Sequence, residues 1–306
     1  MRIIFFGTSG FAVPSLKALA AKGHAVVRCV TQPDRPQGRG LGLEPSPVKQ
    51  AALALRLPLT QPDRLTAAHL EGVSADAGVL ASYGALIRTD VLKLTPHGVL
   101  GVHPSVLPKY RGAAPVPWAL LNGETETGVS IYRLVEAMDA GPVFRRRRVA
   151  VEPDETADHL LDRLAVIGAE ELVLTLSDLE AGRATASPQD DAHATFAPKL
   201  TKAHGRIAWD ATAERIVRQV RALTPWPGAW TGWDGGVLKI WSAAAAGNAA
   251  DAEPGMIVRA SADSIDVATG EGIVAIKELQ AAGRRRMPSG EFLAGRRLKV
   301  GDRFDA

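Results

Sequence analysis

The chain has a single cysteine, Cys29, among its 306 residues. One thiol excludes an intramolecular disulfide framework and a metal site built from several cysteines. No apolar run approaches the roughly 18 residues of a membrane-spanning helix. The apolar stretch at residues 1–7 is too short for a secretory signal peptide. These absences predict a soluble, cytoplasmic protein without a membrane partner.

Charge is nearly balanced, since 36 lysines and arginines stand against 33 aspartates and glutamates, for a formal net charge of +3. The basic residues are unevenly placed, with runs at 145–148, 284–286 and 296–299. For any one run taken alone, a solvated surface is the favoured interpretation. Three of them in one chain predict an anionic macromolecular partner, with phosphate groups as the target.

The first 182 residues alternate short apolar runs with helical patterns. Strands are expected at 2–6, 25–31, 77–82, 98–102 and 128–134, and helices at 14–21, 48–55 and 156–180. Continuous apolar strands separated by helices are typical of a mostly parallel sheet covered on both faces. The pattern therefore predicts a Rossmann-like α/β domain over residues 1–182. Residues 7–10 lack the G-x-G-x-x-G spacing, so no dinucleotide site is inferred.

The remaining chain has a different character. Residues 183–206 are rich in Ala, Thr, Ser, Pro and Asp, which indicates a linker. A helix is expected at 213–223, and short strands at regular spacing follow from about residue 228. This pattern predicts a small OB-like β-barrel domain over residues 207–306, a fold commonly used to hold nucleic acid. A barrel that only packs on the first domain is the alternative.

His103 is the first candidate for chemistry. It follows the apolar run 98–102 and opens a loop rich in proline and glycine at 104–115. Open α/β sheets place their active sites beyond the carboxyl ends of their strands. A hydrogen-bonded structural histidine remains the alternative interpretation.

Taken together, these motifs resemble the methionyl-tRNA formyltransferase family over essentially the whole chain. The segments that carry the resemblance are 6–14, 31–49, 105–115, 126–129, 138–141, 285–287 and 295–301. The motifs of the first domain also occur in formyltransferases that act on sugars and purine precursors. The loop at 31–49 and the terminal barrel favour the tRNA enzyme.

The resemblance implies transfer of a formyl group from 10-formyltetrahydrofolate to the α-amine of methionyl initiator tRNA, without a metal. In that reaction His103 would donate to the developing oxyanion or to the leaving folate nitrogen. Asp139 would accept the proton of the amine, directly or through water. A turn-forming aspartate ahead of Gly141 is the alternative for Asp139.

The resemblance also implies binding residues. Ser105, Val106, Leu107 and Pro108 would form a wall of the folate pocket. Arg39, in a glycine-flanked loop, would contact the acceptor end of the tRNA. The basic residues of the barrel would contact phosphates: Arg284, Arg285, Arg286 and Lys299. No long apolar surface stripe is evident, so a monomer is expected.

Gly101 is the one departure within the site. The family pattern places an asparagine there, whose carboxamide would help hold the oxyanion. Loss of one such donor costs about 10²–10³ in rate. We expect another group to substitute: a backbone N–H, a water or a different side chain. The alternatives for Gly101 are a slow enzyme or a binding protein without turnover. For the function as a whole, the alternative enzyme is a folate-dependent formyltransferase for a small amine such as an amino sugar, which would need neither the loop of Arg39 nor a basic barrel.

Overall fold

The computed structural model describes residues 1–37, 42–248, 252–295 and 298–305. The chain forms two compact units. The first unit contains residues 1–115, 126–150 and 161–197, and the second contains 116–125, 151–160 and 198–306. The domain limits given above stay a prediction. Arg39 and the pair at 296–297 lie outside the described residues.

The elements up to residue 197 are as follows. The strands are β1 (Arg2–Gly7), β2 (Ala25–Val30), β3 (Arg35–Gln37), β4 (Gly42–Glu44), β5 (Leu59–Thr60), β6 (Ala77–Ala81), β7 (Val99–His103), β8 (Arg111–Gly112), β9 (Glu126–Arg133), β10 (Val143–Ala150) and β11 (Phe196–Ala197). The helices are α1 (Val13–Ala21), α2 (Pro47–Ala54), α3 (Thr89–Leu92), α4 (Pro115–Leu121) and α5 (Ala157–Glu180). Most predicted strands and helices agree with these bounds to within two residues.

The first unit is built on one large sheet. Its strand order is β5-β2-β1-β6-β7-β9-β10. The strands from β5 to β7 pair in parallel, whereas β9 and β10 are antiparallel additions at one edge. All five residues of β7 are buried, as expected for a parallel strand covered on both faces. This architecture confirms the Rossmann-like α/β prediction.

Strand β10 was not predicted from the sequence because its centre is the arginine run 145–148. It lies at the sheet edge, where side chains reach solvent and acidic neighbours. Arg145 pairs with Asp178 and Glu171, and Arg148 pairs with Glu126. This run was one of the three that together predict an anionic partner, and the structure uses two of its arginines in ion pairs at the protein surface.

The second unit contains an antiparallel sheet with helices beside it. Its elements are α6 (Ala213–Leu223), β12 (Ala229–Trp233), β13 (Gly236–Ala245), β14 (Ile257–Ala260), β15 (Ile265–Ala268), β16 (Ile273–Ala281), β17 (Met287–Pro288) and α7 (Ser289–Ala294). The strand order is β12-β13-β16-β15-β14, with β17 also on β16. Near the carboxyl terminus, Asp305 bridges to β12 at Gly232, and Arg303 bridges to Met256 just ahead of β14. The terminal segment thus links the two outer strands, in agreement with the predicted small β domain.

An apolar core holds this second unit together. Helix α6 buries Ile216 and Val220 against the inner sheet face, where Ile240 and Ile276 are fully buried. Thr212 caps the helix by accepting the backbone N–H of Arg215, which satisfies one of the free donors of its first turn. Over the described parts of the chain, no helix is both long and apolar enough to cross a bilayer.

Candidate active site

His103 ends β7 at the carboxyl edge of the parallel strands, and its side chain is 8% exposed. Its Nε2 lies 2.9 Å from the backbone oxygen of Tyr110. A carbonyl oxygen only accepts, so Nε2 carries a hydrogen and donates to it. The remaining ring nitrogen, Nδ1, lies 3.6 Å from Oδ2 of Asp139. Nδ1 is therefore the nitrogen of this ring that is left for proton transfer.

Asp139 belongs to the loop between β9 and β10. Its backbone is left-handed, with φ of 52°, a conformation that aspartate and asparagine tolerate better than most residues. Both carboxylate oxygens accept a hydrogen bond: Oδ1 from the Tyr132 hydroxyl at 2.6 Å, and Oδ2 from the Gly112 N–H at 2.8 Å. The sequence paired His103 with Asp139 across 36 positions, and the structure brings them together.

Gly141 closes the same loop against the sheet. A Cβ at this position would lie 1.8 Å from the backbone oxygen of Arg133. Only glycine can lie so close to that oxygen. The packing of Gly141 against β9 therefore fixes the point at which the loop that contains Asp139 turns toward β10.

Gln189 holds the loop from the other side, although no sequence pattern marked it. Its Nε2 donates to the backbone oxygens of Asp139 and Gly141, both at 2.7 Å. Its Oε1 accepts from the buried guanidinium of Arg111, which also pairs with Asp191. A residue from the stretch predicted as linker is therefore part of the support of the candidate site.

We expect Gln189→Leu to lower turnover about 5- to 30-fold, because two loop carbonyls lose their donor and the Asp139 backbone gains freedom. The matched control is Gln219→Leu in the second unit. Gln219 Nε2 also donates to two backbone oxygens, those of His204 and Arg206. Both variants should lose about 1–3 kcal/mol of unfolding free energy, measured by denaturant titration. Equal turnover in the two variants would show that Gln189 serves stability alone.

The predicted folate wall is held largely by the protein's own hydrogen bonds. Ser105 Oγ donates to the Lys109 carbonyl, and Ser105 O accepts from Ser130 Oγ. The Leu107 N–H donates to Ser130 Oγ, and the Leu107 carbonyl accepts from Arg146 Nε. Ser105 and Leu107 are buried, whereas Val106 and Pro108 are half-buried. The loop is thus fixed in shape, and Ser130 is a support that the sequence did not indicate.

Tyr132 fills the space that Gly101 leaves. Its side chain is buried at 3% exposure, and its ring lies edge-on to the imidazole of His103 with centroids 6.3 Å apart. Burial, together with the nearby Asp139 carboxylate, raises the pKa of Tyr132 well above that of an ordinary tyrosine. The phenol therefore stays protonated and acts as a donor. No feature of the sequence singled out this residue.

Cys29 takes no part in this site. It is fully buried within β2, and burial raises its pKa to about 12, so the thiol is held in its unreactive form. In the described ranges, no group of three His, Cys, Asp or Glu side chains is placed to hold a metal ion.

The predicted phosphate contacts lie in the second unit. Arg284, Arg285, Arg286 and Lys299 are exposed. Arg285 pairs with Glu291, and Arg286 pairs with Glu278 while stacking on Trp241. Two of the four cations are thus partly neutralised within the protein.

Family models match both halves of the chain. A model described as "Formyl transferase" matches residues 1–176, and one described as "Formyl transferase, C-terminal domain" matches residues 199–297. The methionyl-tRNA formyltransferase of Solibacter usitatus is 45% identical, over 99% of this chain and 98% of that protein. The one of Pelotomaculum thermopropionicum is 44% identical, over 98% of this chain and 97% of that protein.

Solved structures share the fold. An N-formyltransferase from Helicobacter canadensis, in complex with folinic acid and dTDP-3-aminofucose, aligns over 90% of this chain and 99% of its own, with a TM-score of 0.70 and 15% identity. The methionyl-tRNA formyltransferase from Clostridium thermocellum aligns over 80% and 93%, with a TM-score of 0.60 and 17% identity. HypX from Aquifex aeolicus with tetrahydrofolic acid has a TM-score of 0.67 at 20% identity, and this chain spans half of its length.

Proposed function

Because the chain belongs to the methionyl-tRNA formyltransferase family, we propose that His103 and Asp139 form its catalytic pair. The enzyme transfers the formyl group of 10-formyltetrahydrofolate to methionyl-tRNA in translation initiation. Relatives that match this chain over nearly its full length support this function over the amino-sugar alternative, because the sugar enzymes share only the fold. The observation that carries the pair is the 3.6 Å approach of Asp139 Oδ2 to His103 Nδ1.

The chemistry assigns one task to each residue. The methionine α-amine attacks the formyl carbon, the bond from that carbon to the folate nitrogen breaks, and one proton passes from the amine to that nitrogen. Asp139, an acceptor in its ionised form, takes the amine proton directly or through water. His103 in its imidazolium form donates from Nδ1 to the oxyanion or to the leaving nitrogen. The hydrogen bonds around both side chains support these orientations.

The folate contacts are proposed on the same loop. Val106 and Pro108 would supply apolar contact to the folate ring system because they are only half-buried. Ser105 and Leu107 would keep the loop rigid, with their polar atoms turned to protein partners. Gly101 is proposed to contribute space, which the ring of Tyr132 fills, rather than a contact with substrate.

For the tRNA, we propose phosphate contacts from Arg284, Arg285, Arg286 and Lys299, and a contact of Arg39 with the acceptor end. Initiator tRNA is the proposed form of that substrate. The site of action is proposed to be the cytoplasm, where translation begins, and the acting form a monomer.

The phosphate contacts predict a salt effect. We expect replacement of the four barrel cations by alanine to weaken tRNA affinity at least tenfold. The slope of log affinity against log salt should fall by about one for each phosphate that the variant no longer neutralises. Turnover at saturating tRNA should stay within twofold, and Arg215→Ala, on the exposed face of α6, should leave the slope unchanged. Formylation indifferent to salt and to these substitutions would favour the amino-sugar alternative.

A further inference from the structure

Gly101 and Tyr132 are direct cross-strand partners in the pairing of β7 with β9. The tyrosine ring lies against the glycine α-carbon. A Cβ at residue 101 would lie 2.2 Å from Cε1 and 2.6 Å from Cζ of that ring, far inside contact distance. The ring and any side chain at residue 101 therefore exclude each other. The two positions form a size-coupled pair in which a large residue on β9 requires glycine on β7.

The tyrosine brings a donor into the site along with its ring. Its hydroxyl donates to Asp139 Oδ1 at 2.6 Å, while the Gly112 N–H holds Oδ2. Two donors approaching different oxygens fix the plane of the carboxylate. The same Oδ2 that faces Gly112 also faces His103 Nδ1, so fixing that plane fixes the geometry of the catalytic pair.

We propose that Tyr132 is the positioning residue that holds the Asp139 carboxylate toward His103, and that residue 101 is glycine to admit its ring. This inference rests on the catalytic roles proposed above. It also explains why residue 101 is glycine in this protein. The side chain absent from β7 is replaced by a neutral hydroxyl donor from β9, which acts on Asp139 rather than on the substrate.

Tyr132→Phe separates the hydroxyl from the ring, because phenylalanine keeps the packing on Gly101. We expect turnover to fall about 10- to 100-fold, as for loss of a hydrogen bond to a charged group. The KM values for folate and tRNA should stay within threefold, since the hydroxyl is bonded to Asp139 and is proposed to act through it. The matched control is Thr175→Val, which removes a buried hydroxyl bonded to the Glu171 carbonyl in α5 and should leave turnover unchanged. A Tyr132→Phe enzyme with wild-type turnover would overturn the positioning role.

A double-mutant cycle tests the size coupling. Gly101→Ala and Gly101→Asn should each lower both the melting temperature and the turnover. In each variant the new Cβ clashes with the ring carbons of Tyr132. In the Tyr132→Leu background the Cε1 and Cζ atoms are gone, and the remaining close neighbour of the new Cβ is Leu134 Cδ1, at 2.8 Å. Adding Gly101→Ala should therefore lower the melting temperature clearly less in this background than in the wild type. An equal loss in both backgrounds would show that the two residues are not coupled.

The melting-temperature cycle needs no turnover, so the size coupling and the proposed function can fail separately. If the wild-type protein forms no formylmethionine, the proposed function fails, while the melting-temperature cycle still tests the coupling of Gly101 with Tyr132. If wild-type turnover is normal and Tyr132→Phe matches it, the positioning role fails and the proposed function stands.

Discussion

Asp139→Asn is expected to lower turnover about 10²- to 10⁴-fold, the range that a positioned general base contributes. The substitution removes the negative charge and the capacity to accept the amine proton. It keeps the shape of the side chain, and the amide oxygen can still accept the Gly112 N–H while the amide nitrogen faces the Tyr132 hydroxyl. Turnover is measured as formylmethionine released from tRNA by base hydrolysis, at saturating folate and tRNA.

The asparagine variant is a cleaner test than alanine. Residue 139 has a left-handed backbone with φ of 52°, which asparagine tolerates and alanine does not favour. Asp139→Ala therefore combines chemical loss with backbone strain, and we expect it to be both slow and less stable. The melting temperature of Asp139→Asn should stay close to wild type, and its folate affinity should stay within a few-fold. An asparagine variant with more than a tenth of wild-type turnover would contradict the assigned role.

His103→Ala is expected to lower turnover over the same range, about 10²- to 10⁴-fold, with folate affinity again within a few-fold. The alanine removes the Nδ1 donor and leaves the Tyr110 carbonyl without the Nε2 hydrogen bond of 2.9 Å. The matched control is His69→Ala, which removes an imidazole bonded to Thr66 and outside the candidate site. Turnover of this control should be unchanged.

The pair also predicts a failure of additivity. Residues that act as one catalytic unit lose little more together than the worse of the two loses alone. The double variant His103→Ala with Asp139→Asn should therefore be close to the slower single variant. A loss of turnover in the double variant equal to the product of the two single losses would mean that the two side chains act in separate steps or at separate places.

Much of the fold could be predicted from the sequence because buried parallel strands have continuous apolar runs. The strands β1 and β7 were predicted to within two residues for this reason, and the helix α6 was predicted from the helical spacing of its apolar residues. Strand β10 was not predicted, because four consecutive arginines are not typical of a strand. This strand is stabilised by its position at the sheet edge and by ion pairs, both of which depend on the tertiary structure. The bounds of such an element follow from its neighbours rather than from its own composition.

The candidate site divides in the same way. His103 could be predicted because a strand end and a Pro/Gly-rich loop mark it locally, whereas Asp139 was paired with it through the family resemblance. Tyr132 and Gln189 were not found. Each acts through hydrogen bonds to residues between 7 and 50 positions away, and neither has a local pattern that sets it apart. Gly101 was recognised as a departure, but only the cross-strand register shows what lies over it.

The most direct test of the catalytic pair is a single-turnover experiment with methionyl initiator tRNA and 10-formyltetrahydrofolate, with enzyme in excess over tRNA. Rapid quenching followed by base hydrolysis measures formylmethionine per tRNA, for the wild-type enzyme and for Asp139→Asn. We expect nearly complete conversion by the wild type and a rate at least 100-fold lower in the variant, with unchanged binding of both substrates. No formylmethionine from the wild type, or equal rates from the two proteins, would contradict the roles assigned to His103 and Asp139.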